Sequence, residues 1–183
     1  MNKIVYSSIA LACTLLLPAC GFKSLATQAD AVSAKPVQVK LVDTKGKPAG
    51  TAAITQQAKG VLITIEAAGL TPGKHGFHIH ENGKCEPPKF TSAGSHFNPG
   101  GAEHGFNNPK GYHGGDLPNL VADASGTAKG EIFVDYVTLA KGKANSLLKP
   151  GGTSIVIHAG EDDYVTNPAG NSGDRVVCGI ISE

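Results

Sequence analysis

The stretch Val37-Gln38-Val39-Lys40-Leu41 indicates the fold class, because apolar and polar residues alternate along it. A period of two is typical of a β-strand with one buried and one exposed face. The stretch Val61-Leu62-Ile63-Thr64-Ile65 is apolar and rich in β-branched residues, and a turn sequence at residues 69–73 ends it. Comparable stretches predict strands at residues 75–80, 128–134, 154–158 and 176–181.

The composition agrees with a protein made of strands and turns. The chain has 183 residues, enough for one domain with a hydrophobic core, and contains 24 Gly, 11 Pro and no Trp. No segment has the pattern of a ten-residue helix. We therefore expect an all-β fold with about eight antiparallel strands in a Greek-key β-barrel or sandwich. Two long segments, residues 82–118 and 159–175, interrupt the strands, and we expect them to be functional loops.

Charge and motifs argue against several classes of function. The formal net charge is +1, so the chain has no overall basic field that would attract nucleic acid. Neither a GxGxxG nor a GxxxxGKS/T motif occurs, which argues against dinucleotide-binding dehydrogenases, kinases and P-loop NTPases.

The N-terminus has the features of an export signal. Lys3 precedes an apolar run at residues 9–17, which is shorter than the roughly 20 residues of a membrane-spanning helix. The sequence Leu17-Pro18-Ala19-Cys20 resembles the lipobox of bacterial lipoproteins, in which the Cys receives a lipid; an ordinary signal peptide with an incidental Cys is the alternative. We predict a signal peptide at residues 1–19, a lipid-anchored tether at 20–36 and one domain at 37–183, exported to the cell envelope and attached to the membrane through Cys20.

The histidines are clustered, since six of the seven lie between positions 75 and 113. On a strand, residues two apart share a face, so His78 and His80 form a pair and His75 should point away from it. A single His is more often a surface or core residue than a metal ligand. Six in one segment of an exported domain favour metal binding instead, together with His158 at the end of a late strand.

The ligand types divide into two sets. A carboxylate with imidazoles suits tetrahedral zinc, and His104, His113 and Asp116 lie in one loop. Imidazoles alone suit copper(II), and His78, His80 and His158 lie on strands. With His96 the set has seven ligands, whereas two four-coordinate metals need eight. One His that uses both ring nitrogens would supply the eighth, and so would His75; the arithmetic does not choose between them.

Two segments carry a specific family resemblance. Gly76-Phe77-His78-Ile79-His80-Glu81 and Gly170-Asn171-Ser172-Gly173-Asp174-Arg175-Val176-Val177-Cys178-Gly179, with the spacing of the loop ligands, resemble the signatures of copper–zinc superoxide dismutases. The likeness covers about residues 36–183 and implies an eight-stranded Greek-key β-barrel. It implies that His78, His80, His96 and His158 bind copper, that His96, His104, His113 and Asp116 bind zinc, and that His75 is structural.

The resemblance also implies the reaction. Superoxide anion is converted to oxygen and hydrogen peroxide by copper redox cycling, and the bridging His96 carries a proton. The alternative is a non-catalytic domain of the same fold that stores copper and zinc. Members of the family include monomers and homodimers, and the sequence is compatible with either.

The resemblance implies roles for four further residues. Asp162 links a copper ligand to a zinc ligand through hydrogen bonds, a role for which the neighbouring Asp163 is the alternative. Arg175, the only Arg in the chain, guides the anion to copper. Cys85 and Cys178 form a disulfide, with two free thiols as the weaker alternative in an exported protein.

The second loop departs from the family pattern. Residues 159–175 contain no Lys, although many members place Lys there to steer the anion. Lys84, Lys89 and Lys110 in the first loop are the candidates for that role.

Overall fold

The computed structural model describes residues 35–183. The predicted signal peptide, Cys20 and all of the predicted tether except Lys35 and Pro36 lie outside the described residues. Within residues 35–183, no helix is long and apolar enough to cross a membrane. The described part contains nine strands: β1 Val37–Asp43, β2 Pro48–Gln56, β3 Val61–Ala67, β4 Gly73–His75, β5 Phe77–His80, β6 Leu120–Ala122, β7 Ala128–Val134, β8 Thr153–His158 and β9 Arg175–Ile181.

All nine strands belong to one antiparallel sheet that curls into a nearly closed barrel. Their order is β4-β6-β7-β3-β2-β1-β9-β8-β5, so β3 pairs with β7 rather than with β4. The two outermost strands of the sheet, β4 and β5, are consecutive in the chain and are separated by Gly76 alone. The all-β prediction is confirmed, and the described residues contain one short 3₁₀ helix, Thr91–Ala93.

The strand count is nine rather than eight because the predicted strand at 75–80 is interrupted at Gly76. The Gly76 N–H donates to the carbonyl oxygen of Gly160 at 2.7 Å, and the Gly76 carbonyl accepts from the His158 N–H at 2.8 Å. A Cβ at position 76 would lie 2.6 Å from Cβ of Ser172. The backbone here therefore pairs with the loop after β8, and only glycine allows that approach.

The barrel interior is filled by the alternate apolar residues of the strands. Val39 and Leu41 of β1 point inward together with Ile63 of β3, and all three are buried. Ile155 and Ile157 of β8 belong to the same core, whereas the intervening Val156 packs in a second cluster with Phe90, Ala93 and Cys178. β8 is thus buried on both faces, because loops cover its outer side.

The first loop covers the free edge of β5. Ile79 donates its N–H to the carbonyl oxygen of Gly115 and accepts from the N–H of Phe97, both at 2.8 Å. Two isolated bridges, His78 with Asp116 and His80 with His96, extend this pairing. Loop segments therefore occupy the place of a neighbouring strand and bring their side chains beside those of β5.

A disulfide attaches the first loop to β9. Cys85 and Cys178 are bonded, with their Cα atoms 5.6 Å apart and 93 positions between them in the sequence. Closing a loop of that length stabilises a fold by roughly 4–5 kcal/mol in the chain-entropy model. The predicted disulfide is present.

Candidate metal centre

Four histidines meet on the outer face of the β5–β8 strand pair. Phe77 and Ile79 of β5 point into the core, so His78 and His80 point to the opposite face. His158 ends β8, and His96 reaches the same place from the first loop. All four are buried, with at most 6% of any residue exposed.

Each of these imidazoles has one nitrogen that is buried without a hydrogen-bond partner. These atoms are His78 Nδ1, His80 Nε2, His96 Nε2 and His158 Nε2. The four rings can supply ligand atoms that all lie within 4.8 Å of one another. A buried polar atom without a partner costs about 1–3 kcal/mol, so four in one place indicate a site built for a cation. Imidazoles without a carboxylate are a donor set that fits copper.

The second nitrogen of each ring is bound to an oxygen. His80 Nδ1 donates to the carbonyl oxygen of Gly94 and His158 Nδ1 to that of Gly173, both at 3.0 Å. His78 Nε2 donates to Asp162 Oδ2 at 2.7 Å. Such bonds fix the tautomer and leave the other nitrogen with a free lone pair. Burial lowers the pKa of His78 to about 3 and that of His158 to about 4, so both imidazoles are neutral at pH 7.

A second group forms around one oxygen of Asp116. His96 Nδ1, His104 Nδ1 and His113 Nδ1 lie 2.8, 3.0 and 3.2 Å from Asp116 Oδ1. His96 Nδ1 and His113 Nδ1 are 3.3 Å apart. Ligand atoms bonded to a tetrahedral zinc at about 2.0 Å lie about 3.3 Å from one another, so three imidazoles and a carboxylate at these distances fit zinc.

Proximity alone also permits a different second group. Ligand atoms of His78, His96, His104 and Asp116 lie within 4.8 Å of one another. However, His78 Nε2 is already bound to Asp162, and His78 Nδ1 is one of the unpartnered atoms of the first group. His113 Nδ1 points at Asp116 Oδ1, so we assign His113 to the second group.

Asp116 is the anionic member of the second group. Burial would raise the pKa of this carboxyl, but hydrogen bonds from His104, His113 and His96 hold it well below its usual range. Burial would lower the pKa of His104, but its hydrogen bonds to Asp116 and Asp162 outweigh that effect and raise the pKa to about 9. A cation at this position would be stabilised by both carboxylates.

Asp162 connects the two groups. Its Oδ2 binds His78 Nε2 at 2.7 Å, and its Oδ1 accepts from His104 Nε2 at 3.0 Å. Burial would raise the pKa of Asp162, but the hydrogen bonds from His104 and His78 hold it well below its usual range. The neighbouring Asp163 is exposed and accepts instead from the Thr166 N–H in its own loop. Of the two candidates, the structure places Asp162 between the groups.

Comparison with known proteins identifies the family. The sequence profile described as copper/zinc superoxide dismutase matches residues 48–181. The chain belongs to this family. Membership confirms the predicted oxidoreductase class and its two metals, copper and zinc.

Several relatives of this dismutase have known sequences or structures. It is 49% identical to superoxide dismutase [Cu-Zn] 2 of Aquifex aeolicus over 143 residues, which are 78% of this chain and 84% of the relative. It is 46% identical to the superoxide dismutase [Cu-Zn] of Caulobacter vibrioides over 138 residues, 74% and 79% of the two chains.

Solved structures show the same fold. The Cu/Zn superoxide dismutase of Brucella abortus has a TM-score of 0.66 at 32% identity, covering 80% of this chain and 99% of that one. A SOD-like protein from Bacillus subtilis has a TM-score of 0.78 at 45% identity, covering 81% and 99%. These likenesses agree with the nearly closed barrel described above.

Arg175 of the dismutase is fixed beside the four-histidine group. Its Nη1 donates to the carbonyl oxygen of Phe90 and its Nη2 to that of Gly94, both at 2.7 Å. The residue is partly exposed and lines a surface cleft of about 510 Å³. Both acceptors lie in the first loop, so the loop attached by the disulfide sets the position of the guanidinium.

The three candidate lysines differ in their positions relative to that cleft. Lys89 is exposed and lines the cleft together with Arg175 and Thr91. Lys110 is bound to Glu103 at 2.9 Å, and neither it nor Lys84 lines the cleft. Asp174 also lines it and offsets part of the positive charge.

His75 lies outside both groups. Its Nδ1 is 2.6 Å from the carbonyl oxygen of His158, and its Nε2 is 2.7 Å from that of Thr71. Both ring nitrogens are therefore used in contacts with the backbone. The break at Gly76, rather than simple alternation along one strand, separates it from His78.

Sequence reasoning missed Asn119, and it assigned no role in the site to Gly170, which is part of the quoted family signature. The Asn119 amide binds the Asp162 backbone twice, accepting from its N–H and donating to its carbonyl, both at 2.9 Å. Gly170 has φ +61 and lies so close to Asp162 and His104 that any Cβ would overlap them. Neither residue belongs to a metal-ligand pattern, because each acts through the packing of the two loops.

Proposed function

We propose that the protein disproportionates two superoxide anions, with two protons, to oxygen and hydrogen peroxide at the four-histidine group. His78, His80, His96 and His158 would hold copper, and His96, His104, His113 and Asp116 would hold zinc. The observation that carries this assignment is the position of His96, whose two ring nitrogens belong to different groups. Its Nδ1 is 2.8 Å from Asp116 Oδ1, while its Nε2 is one of the four unpartnered nitrogens of the other group.

When bound, the metals would supply electron transfer and positive charge. The side chains move a proton, orient the ligands and keep the ligand nitrogens free to bind metal. When it is not bound to metal, His96 Nε2 would hold one of the two protons and deliver it to the peroxide product, and solvent would supply the other. Asp162 keeps His78 and His104 oriented through its two oxygens. Desolvation keeps the imidazoles of the first group neutral, so their lone pairs are available without the loss of a proton at pH 7.

Arg175 is proposed to bind the substrate anion. A guanidinium has five N–H donors, and two are used on the carbonyls of Phe90 and Gly94. The remaining donors have no partner among the described residues. A planar cation fixed beside the four-histidine group suits a small anion that has to be oriented. A storage domain has no need of such a group, which favours the enzyme over the storage alternative.

The test is superoxide consumption by the full protein with both metals and the disulfide in place. We expect a rate above that of the same amount of free copper. His158→Ala should lose most of this activity while it retains zinc, because the zinc set is untouched. A correctly metallated protein with no activity above free copper would refute the enzyme assignment.

The protein is further proposed to be exported and held at a membrane by a lipid on Cys20. The apolar run at residues 9–17 and the sequence Leu17-Pro18-Ala19-Cys20 support this proposal. Residues 20–36 would then separate the lipid from β1, which begins at Val37. The homodimer compatible with the sequence stays a prediction, to be measured by sedimentation.

A further inference from the structure

Tyr136 contacts the backbone of a proposed zinc ligand. It lies two residues after β7 and is partly buried. Its hydroxyl donates to the carbonyl oxygen of Asp116 at 2.7 Å. Asp116 is the residue on which His96, His104 and His113 converge, and only 1% of it is exposed.

Most other hydrogen bonds of Asp116 come from its own loop. Its Oδ2 accepts from the N–H groups of Gly105 at 2.9 Å and of His113 at 3.0 Å. Its N–H donates to the carbonyl oxygen of His113 at 3.2 Å. These bonds shape the loop but do not attach it to the barrel. The Tyr136 hydroxyl attaches the loop to the segment after β7, in addition to the contact between β5 and the neighbouring Gly115.

Tyr136 is part of an aromatic cluster formed by Phe106, Tyr112, Tyr136 and Tyr164. The ring centroids of Tyr136 and Tyr112 are 5.2 Å apart, those of Tyr112 and Phe106 4.9 Å, and those of Phe106 and Tyr164 5.6 Å. Such spacings are typical of stabilising aromatic pairs. The cluster therefore packs the first loop against the residues after β7 and against the second loop.

A second hydroxyl of the cluster reaches the same backbone segment. Tyr164 Oη accepts from the N–H of Asn119 at 2.7 Å, three residues after Asp116. The short segment from Asp116 to Asn119 is therefore bound at both ends by tyrosine hydroxyls. By contrast, the hydroxyl of Tyr112 has no hydrogen-bond partner among the described residues.

We propose that Tyr136 is a positioning residue for zinc, acting through the hydrogen bond from its hydroxyl to the Asp116 carbonyl. This inference rests on the zinc assignment of the proposed function. The bond fixes the backbone that carries the carboxylate, so Asp116 Oδ1 stays at the point where the three imidazoles meet. Groups that orient metal ligands contribute about 10- to 100-fold to metal affinity. Because Tyr136 binds the backbone of the ligand, we expect the lower end of that range.

The experiment compares Tyr136→Phe with Tyr112→Phe in the full, disulfide-bonded protein. Both changes remove one hydroxyl and keep the ring, but only the first removes a hydrogen bond. Zn²⁺ affinity is measured by chelator competition, and Co²⁺ is added as a probe whose visible absorption reports the ligand geometry. We expect Tyr136→Phe to bind Zn²⁺ about tenfold more weakly and to change the Co²⁺ absorption. Tyr112→Phe should match wild type, and Cu²⁺ binding should be the same in all three proteins.

The results distinguish a wrong role for Tyr136 from a wrong zinc assignment. His113→Ala is measured in parallel. If His113→Ala loses Zn²⁺ affinity but Tyr136→Phe stays within about twofold of wild type, the role of Tyr136 is wrong while the zinc site stands. If His113→Ala binds Zn²⁺ as tightly as wild type, the zinc assignment is wrong and the role of Tyr136 falls with it.

If Tyr136→Phe does not fold, the role of Tyr136 is tested on the wild-type protein instead. The chain has no Trp, so its near-ultraviolet absorption is dominated by tyrosine. Zn²⁺ should change the tyrosine absorption of wild type and leave that of His113→Ala unchanged. A wild-type spectrum unaffected by Zn²⁺ would overturn the inference.

Discussion

His80 and Arg175 donate to the same acceptor, the carbonyl oxygen of Gly94, at 3.0 and 2.7 Å. One peptide group thus sets the orientation of a proposed copper ligand and the position of the proposed substrate cation. Gly94 has φ +77, and a Cβ there would overlap Asn82 and Glu81, so no other residue fits without strain. The imidazole of His80 and the guanidinium of Arg175 are therefore held relative to each other by one backbone carbonyl group.

Arg175→Ala should lower the rate without loss of metal. The guanidinium contacts carbonyl oxygens and no proposed ligand side chain, so both metals should stay at wild-type content. Loss of charge-assisted hydrogen bonds to the anion should reduce kcat/KM by roughly 10- to 100-fold. Metal analysis and superoxide consumption are measured on the same sample. Loss of copper together with activity would mean that Arg175 is needed for the site rather than for the substrate.

Asp162→Asn should weaken metal binding, whereas Asp163→Asn should leave it close to wild type. The two carboxylates are adjacent, but only Asp162 binds His78 and His104. An amide cannot accept from both imidazoles through two oxygens, so zinc affinity should fall by roughly 10- to 100-fold. Chelator competition on both variants provides the measurement. Equal affinities in the two variants would show that the connection between the groups has no effect on metal binding.

Lys89→Gln should reduce the dependence of the rate on ionic strength. Lys89 lines the cleft with Arg175, whereas Lys110 is bound to Glu103 and lies outside it. Removing one cation at the cleft should slow the reaction by about two- to fivefold at low salt and less at high salt, where charges are screened. Lys110→Gln, which makes the same change in net charge, is the control. Identical salt profiles for the two variants would contradict a local role for Lys89.

Cys20→Ser should release the protein from the membrane or leave the precursor uncleaved. A lipid added to the Cys thiol cannot be added to a Ser at that position. Fractionation of cells that express each form, with the size of the product on a gel, gives the result. Unchanged membrane association with normal cleavage would rule out the lipid anchor.

The sequence predicts the strands whose pattern is strong and misses those whose pattern is weak. β1 and β3 alternate or are continuously apolar, and both lie where the pattern places them. Six of the nine residues of β2 are Ala, Gly or Thr, and β6 has only three residues, so neither stands out from its surroundings. The break at Gly76 depends on Ser172 and Gly160, nearly a hundred residues away, and no local pattern contains that information.

The residues of the site fall into the same two classes, those that the sequence indicates and those that it does not. Residue types with metal chemistry stand out in a sequence, which is why the histidines and Asp116 could be named in advance. Asn119 and Tyr136 have no such chemistry, and their importance comes from contacts with Asp162 and Asp116, 43 and 20 positions away. Of the groups that orient ligands, Asp162 could be named in advance through the family resemblance, whereas Asn119 and Tyr136 are found only from the fold, which decides which common polar residues lie beside the ligands.

The loop segments that cover the edge of β5 also carry proposed metal ligands. Ile79 has no neighbouring strand on that side and pairs instead with Gly115 and Phe97, residues adjacent to Asp116 and His96. An uncovered strand edge is a template for pairing with another chain. Since the segments over this edge carry proposed ligands, we expect removal of the metals to loosen the covering of β5, a strand that is buried along its whole length. We therefore expect the metal-free protein to aggregate more readily than the metal-loaded protein.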